Sequence, residues 1–215
     1  MVKMTYVKHI GATIILLLFA AALILYLRIE NGKEELVVPN DPSEDFLSSY
    51  RDHDKESEDS EFYLQLGRLY RSEALEKSDK SMFDLAIENL RRSERLDPSD
   101  YRSTASLGWT YFYKANAFGD DEDYRAAESA FKKAIMQDPM SFESHNGLGF
   151  VYRNTGQYDK AIESFENAIE INPKHGPAYN GLSFVYRKNG DLDKAIDYGE
   201  KAISLDPASL YAYNT

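Results

Sequence analysis

Side chains that can make strong contacts with a ligand recur at a fixed spacing in the second half of the chain. Arg153 and Arg187 are 34 residues apart, and the same interval separates Phe150 from Phe184. Guanidinium groups pair with carboxylates through two parallel hydrogen bonds, and aromatic rings supply large apolar contact areas. Together these side chains suit the binding of an extended peptide rather than the making or breaking of covalent bonds.

Residue types that could support catalysis are scattered. The four histidines, at positions 9, 53, 145 and 175, form no HExxH motif and no paired-ligand spacing, and the sequence has no GxSxG nucleophile motif. There is also no cysteine, which excludes disulfides, thiolate metal sites and thiol nucleophiles. We therefore expect no enzymatic activity, no catalytic residues, and neither a metal nor another cofactor.

The chain as a whole is acidic. Its 25 Lys and Arg residues are outnumbered by 36 Asp and Glu residues, which gives a net charge of -11. A surface of this sign repels phosphate backbones, so nucleic acid is not an expected partner. Hydrophobic residues make up 43% of the chain, which is enough to build a core and excludes disorder for most of it.

An uncharged apolar segment occupies residues 10–27. At helical rise it would span about 27 Å, close to the thickness of a hydrocarbon core. The alternative is a cleaved signal peptide, whose apolar stretch would be shorter and would end at a small-residue cleavage site. We predict a short N-terminal tail, residues 1–9, followed by one transmembrane helix, residues 10–27, that makes this a single-pass membrane protein.

The charges beside this segment are used to predict its orientation in the membrane. Lys3 and Lys8 before it are balanced by Arg28 and Lys33 after it, and the free N-terminal amine adds one positive charge to the first side. By the positive-inside rule we predict that the short N-terminus is cytoplasmic and that the remainder of the chain lies outside the cytoplasm.

Residues 28–59 form an acidic stretch. Between residues 31 and 59 there are ten carboxylates and only three Lys or Arg residues. Such a segment cannot bury enough apolar surface to fold, and the repulsion between its charges extends it. We predict a disordered spacer between the membrane and whatever follows.

From residue 60 onward the sequence repeats itself. Residues 142–173 and 176–207 are two copies with a period of 34, and each reads as two amphipathic helices with a glycine in the turn between them. The first of these copies resembles the tetratricopeptide repeat in nearly every term of its signature, which is carried by Leu148, Gly149, Tyr152, Ala161, Phe165 and Pro173. The resemblance implies an all-α fold, a right-handed superhelical solenoid of four helix hairpins plus the start of a fifth.

Two earlier copies have a period of 41, as shown by Leu66, Leu107 and Leu148. The seven additional residues lie between the two helices of each hairpin and amount to nearly two helical turns, so each helix could be longer by one turn without rotating its apolar face. The predicted repeats are 60–100 and 101–141, both long, then 142–175 and 176–209, with 210–215 beginning a further helix.

The resemblance also implies where a ligand binds, because first helices of successive repeats line the concave face in this family. The candidate peptide-binding residues are Arg68, Arg71, Trp109, Phe112, Tyr113, Asn146, Phe150, Arg153, Asn180, Phe184, Arg187 and Lys188. The expected ligand is a protein or extended peptide, including one that bears carboxylates. Alternatively, the aromatic side chains pack on one another along the solenoid and the arginines pair with neighbouring carboxylates.

These features predict a membrane-anchored adaptor or assembly factor that binds and positions another protein. One alternative is a cytosol-facing receptor of the import type. Another is the regulatory front end of a longer enzyme or envelope-biogenesis protein. The apolar side of the fourth repeat, which includes Ala195, Ile196, Ala202 and Ile203, is expected to be only partly covered, which favours either a longer protein or self-association at this end.

Overall fold

Eight α-helices, joined in pairs as four hairpins, make up the part of the chain that the computed structural model describes, residues 59–206. The first hairpin contains α1 (Ser60–Lys77) and α2 (Lys80–Leu96), the second α3 (Tyr101–Phe118) and α4 (Asp121–Gln137), the third α5 (Phe142–Asn154) and α6 (Tyr158–Ile171), and the fourth α7 (Gly176–Lys188) and α8 (Leu192–Leu205). The predicted all-helical repeat architecture is confirmed. None of these eight helices is long and apolar enough to cross a membrane.

Several predictions concern residues outside this range. The N-terminal tail, the transmembrane helix at 10–27, all but the last residue of the acidic spacer, and the further helix at 210–215 lie outside the described residues.

Short polar side chains set where the helices begin. Asp59, Asp79, Asp100 and Asp120 each accept a hydrogen bond from the backbone N–H two residues further on. These carboxylates satisfy donors that have no partner within the helix, and they interact favourably with the positive end of the helix dipole. The first four helices therefore begin directly after an aspartate.

The turns inside the hairpins use the left-handed backbone conformation. Gly119, Gly156 and Gly190 have φ values of 73°, 75° and 83°, which glycine adopts without a steric penalty. In the first hairpin this place is taken by Ser78, with a φ of 53°. The first turn thus carries backbone strain that the other three avoid.

The first two hairpins are longer than the last two. Their helices have 18 and 17 residues, whereas those of the third and fourth hairpins have 13 and 14. The seven additional residues therefore lengthen both helices of a hairpin by about one turn each.

Large side chains between hairpins pack against glycine residues in the core. The ring of Phe165 is fully buried between Gly149 of its own hairpin and Gly181 of the next one. A Cβ atom at those glycines would lie only 2.6 and 2.4 Å from the ring, so only glycine permits this packing. Phe131 occupies the equivalent place one hairpin earlier, against Gly108 and Gly147. The second and third hairpins, and likewise the third and fourth, are therefore joined through one aromatic ring.

The stacking of hairpins also gives the solenoid its curvature. The first helices of successive hairpins contact one another directly, whereas no two second helices do so within residues 59–206. The second helices α2, α4 and α6 instead each contact the first helix that follows them. The side of the stack formed by α1, α3, α5 and α7 is therefore the shorter one, and we call its surface the inner face.

Candidate peptide-binding face

A pocket of about 370 Å³ lies on the inner face between the first two hairpins. It is lined by side chains from α1, α3 and α5, which are Arg68, Arg71, Arg102, Ala105, Ser106, Trp109, Tyr113 and Glu143. Three of these residues are arginines and one is a carboxylate. We refer to this site as the arginine pocket.

Arg68 and Arg71 are held by a single serine on the neighbouring helix. The Nε of Arg68 donates to the Ser106 hydroxyl at 3.1 Å, and Nη1 of Arg71 donates to the Ser106 carbonyl oxygen at 3.3 Å. Neither guanidinium forms a salt bridge with any described residue. Burial lowers the pKa of Arg71, and the nearby Arg68 cation acts in the same direction. Arg71 is therefore a partly desolvated cation beside a second cation.

Arg102 stands in contrast at the rim of the same pocket. Its guanidinium bonds to the Asp100 carboxylate at 2.8 Å and to the Glu61 carboxylate at 2.9 Å. The Asp100 hydrogen bond, with Glu61 adding to it, raises the pKa of Arg102. The charge of Arg102 is therefore already compensated, unlike that of Arg68 and Arg71.

Aromatic rings extend from the pocket along the inner face. Trp109 stacks on Tyr113 with ring centroids 5.7 Å apart, and it contacts Phe150 of the next hairpin at 6.0 Å. Phe112 lies beneath them, 5% exposed, and is part of the core rather than the surface. The alternative in which aromatic side chains pack on one another thus holds for this part of the face.

Further along the inner face, guanidinium groups stack on phenylalanine rings. Arg153 lies between Phe150 and Phe184, with its Cζ 4.6 and 4.9 Å from the two ring centroids. Arg187 and Lys188 both lie 5.5 Å from the Phe184 centroid and are exposed. Burial lowers the pKa of Arg153. Cation–π contacts of this kind hold the charges in place without neutralising them.

The predicted asparagine positions differ in their environment. Asn146 is only 3% exposed, and its buried Oδ1 has no hydrogen-bond partner among the described residues. Asn180, in the next hairpin, is half-buried. The amide of Asn146 therefore lies beneath the inner face, whereas that of Asn180 reaches its edge.

The structure divides eleven of the twelve predicted site residues into three sets, and the twelfth, Asn180, is half-buried. The arginine pocket brings together Arg68, Arg71, Trp109 and Tyr113, and a second group around Phe184 brings together Phe150, Arg153, Arg187 and Lys188. Phe112 and Asn146 are buried. The predicted alternative that the arginines pair with carboxylates does not describe Arg68, Arg71, Arg153 or Arg187 in the part of the chain that the structure covers.

Four residues of the pocket were not predicted from the sequence: Arg102, Ala105, Ser106 and Glu143. The repeat period could have identified Ser106 from the sequence. Ser106 lies 41 residues before Gly147, at a position where the later repeats have glycine. In the first hairpin, Leu90 occupies the place of Phe131. Because leucine is smaller than phenylalanine, it leaves room for a serine instead of a glycine at position 106.

Comparisons with known proteins agree with this architecture. Residues 141–208 match the tetratricopeptide repeat family. A crystal structure of MamA, itself a protein of this kind, is 30% identical, with a TM-score of 0.55 over 69% of this chain and 78% of that one. The chain belongs to the tetratricopeptide-repeat family. A second MamA structure, labelled AMB-1, is 26% identical, with a TM-score of 0.54 over 72% of this chain and 83% of that one.

The PilF protein of Pseudomonas aeruginosa shares the fold of this tetratricopeptide-repeat protein. It is 19% identical, with a TM-score of 0.60 over 71% of this chain and 64% of that one. No curated protein matches the sequence. Tetratricopeptide-repeat proteins are in general non-catalytic scaffolds for contacts between proteins.

Proposed function

We propose that this tetratricopeptide-repeat protein is a membrane-anchored adaptor or assembly factor that binds a protein or extended peptide on its inner face and performs no chemistry of its own. The observation that carries this proposal is the row of guanidinium groups on α1, α5 and α7 that have no carboxylate partner within residues 59–206. In a chain with a net charge of -11, cations without such partners favour a ligand that supplies carboxylates.

The second group of inner-face residues supports binding of an extended segment. Phe184 offers a half-buried ring, and Arg187 and Lys188 are exposed cations beside it. Aromatic and arginine side chains are enriched among the residues that contribute most to binding energy at interfaces. A peptide could place apolar groups on the ring and acidic groups against the cations.

Capture of partners by the tagged full-length chain tests this proposal. We expect Arg187→Gln with Lys188→Gln to reduce the yield of the captured partner at least tenfold, because two exposed cations of the face are lost. Lys160→Gln with Lys201→Gln is the matched control, since it removes the same charge from the exposed sides of α6 and α8. If both double variants retain the partner equally, the inner face is not the binding surface.

We propose further that residues 10–27 anchor the protein, and that the acidic stretch 28–59 holds the repeats away from the bilayer on the extracytoplasmic side. The apolar length of residues 10–27 supports the anchor. We expect the full-length chain to resist extraction from membranes by alkaline carbonate, and a variant lacking residues 10–27 to be released. Release of both proteins alike would contradict the anchor.

Orientation can be measured with a single cysteine, because the natural chain has none. Lys201→Cys places a thiol at an exposed position of α8. On intact cells, a membrane-impermeant maleimide should label this thiol if the repeats are extracytoplasmic. Labelling that requires lysis would instead support the cytosol-facing arrangement.

Self-association is a further part of the proposal. Leu192 and Ile196 of α8 are 60% and 59% exposed, beside a shallow apolar pocket of about 310 Å³ that also contains Gly199. Exposed apolar groups of this kind favour contact with another surface. We expect the solution mass of the full-length chain to exceed that of a monomer and Ile196→Glu to lower it, whereas a strict monomer at all concentrations would contradict self-association.

A further inference from the structure

We propose that the arginine pocket is a subsite for one acidic side chain of the bound peptide, in which Arg68 and Arg71 receive the carboxylate and the rings of Trp109 and Tyr113 contact the peptide beside it. This assignment rests on the proposed function, because it names the class of residue that one part of the inner face recognises.

The charges in the pocket are the first reason. Arg68 and Arg71 approach the same residue, Ser106, from one turn apart on α1, and both donate to neutral oxygen atoms. Two cations held this close together repel each other, and burial makes the repulsion stronger than it would be in water. One carboxylate placed between them would compensate both charges.

The free hydrogen-bonding capacity is the second reason. A guanidinium has five N–H donors, and Ser106 engages one from each arginine. Within the described residues, no carboxylate uses the remaining donors of Arg68 or Arg71. Because Ser106 fixes the side chains, little conformational freedom is lost when an anion binds.

The shape and the rim of the pocket select the ligand. A volume of about 370 Å³ accommodates a side chain and the adjoining backbone. Trp109 and Tyr113 supply apolar contact area that a free inorganic anion would not use. Glu143 adds a negative charge at the rim, which disfavours an anion with two charges more than one with a single charge. These features favour a peptide carboxylate over a phosphate group.

Trp109 provides a direct measurement, because it is the single tryptophan of the chain and it lines the pocket. Its fluorescence in the full-length protein is titrated with a capped peptide in which Glu and Gly alternate. The capped peptide in which Gln replaces Glu, and inorganic phosphate, are the comparison ligands. We expect the Glu peptide to bind at least tenfold more tightly than either of them.

Three variants assign the binding to named residues. Arg68→Gln with Arg71→Gln should weaken binding of the Glu peptide at least tenfold, whereas Lys160→Gln with Lys201→Gln should change it less than threefold, because these two exposed lysines carry the same charge outside the pocket. Glu143→Gln should tighten binding about threefold. This gain cannot arise from misfolding, so it tests the proposal even if the double variant is unstable.

The outcomes separate the subsite from the wider function. Equal binding of the Glu and Gln peptides, or an unchanged affinity in the Arg68 and Arg71 double variant, overturns the subsite. Tighter binding of phosphate than of the Glu peptide overturns it in favour of a phosphate site. If the peptide results hold but no partner depends on Arg187 and Lys188, the proposed function fails while the subsite stands.

Discussion

Replacing Gly181 by alanine together with Phe165 by leucine should cost less stability than the two single changes added together. The Phe165 ring is fully buried, and its Cζ would lie 2.4 Å from a Cβ atom at residue 181. Ordinary contact between carbon atoms is about 3.5–4.0 Å, so the alanine methyl group and the ring cannot both keep their places. A leucine at 165 is shorter and leaves room for the methyl group.

The magnitudes follow from packing and helix propensity. Overpacking a core costs about 1–3 kcal/mol, while alanine gains about 1 kcal/mol over glycine within a helix, so Gly181→Ala alone should cost about 0–2 kcal/mol. Phe165→Leu should cost about 1–2 kcal/mol through the loss of buried area and the space left behind. In the double variant the overlap disappears, and we expect a coupling energy of about 1–2 kcal/mol.

The first hairpin supports this compensation, because it has Leu90 where Phe165 stands and the next hairpin has Ser106 in place of Gly181. Urea unfolding, monitored by circular dichroism, measures the free energy of unfolding of the wild type, the two single variants and the double variant. Gly176→Ala is the control, since the heavy atoms nearest to its Cβ would lie at 3.8 Å, an ordinary contact distance. Additivity within about 0.5 kcal/mol would refute the view that this ring and glycine form one packing unit.

Two further predictions concern the turn of the first hairpin and the start of α7. Ser78→Gly should stabilise the protein by about 0.5–1 kcal/mol in urea unfolding, because glycine adopts the left-handed conformation without strain, and a loss of stability would contradict this. Burial lowers the pKa of His175 from its ordinary value of 6.5, so His175 binds a proton more weakly in the folded protein than in the unfolded chain. As the pH falls below 6.5, His175 is therefore protonated first in the unfolded chain, and the folded protein loses stability. His175→Asn should reduce this loss between pH 7.5 and 5.5, and an unchanged pH dependence would show that His175 is not its source.

Much of the fold could be predicted from the sequence because tetratricopeptide repeats are encoded by local patterns. The glycines at 156 and 190 indicated the turns of the last two hairpins, and both adopt the left-handed conformation. The longer interval between Leu66 and Leu107 indicated that the early hairpins have longer helices. A helix and its turn depend on residues that are close in the chain, so a single repeat carries the information for its own hairpin.

The candidate site could be predicted only in part. The repeat period identified which residues of each first helix share a face, and it correctly grouped Arg153 with Phe150 and Phe184. It also assigned Phe112 the same position as Arg153, yet the phenylalanine ring is buried and the guanidinium is only half-buried. Equivalent backbone positions do not give equal exposure, since an apolar ring turns into the core and a charged group remains near water.

The sequence by itself determined the helices, the turns and the order of the hairpins. Only the tertiary structure decided which charges are compensated: Arg102 is paired with Glu61 of the preceding hairpin, whereas Arg68 and Arg71 are held by Ser106 of the following one. These partners lie between 35 and 41 residues apart in the chain. Whether a charge is neutralised depends on distance through space, and that distance is set only when the hairpins stack.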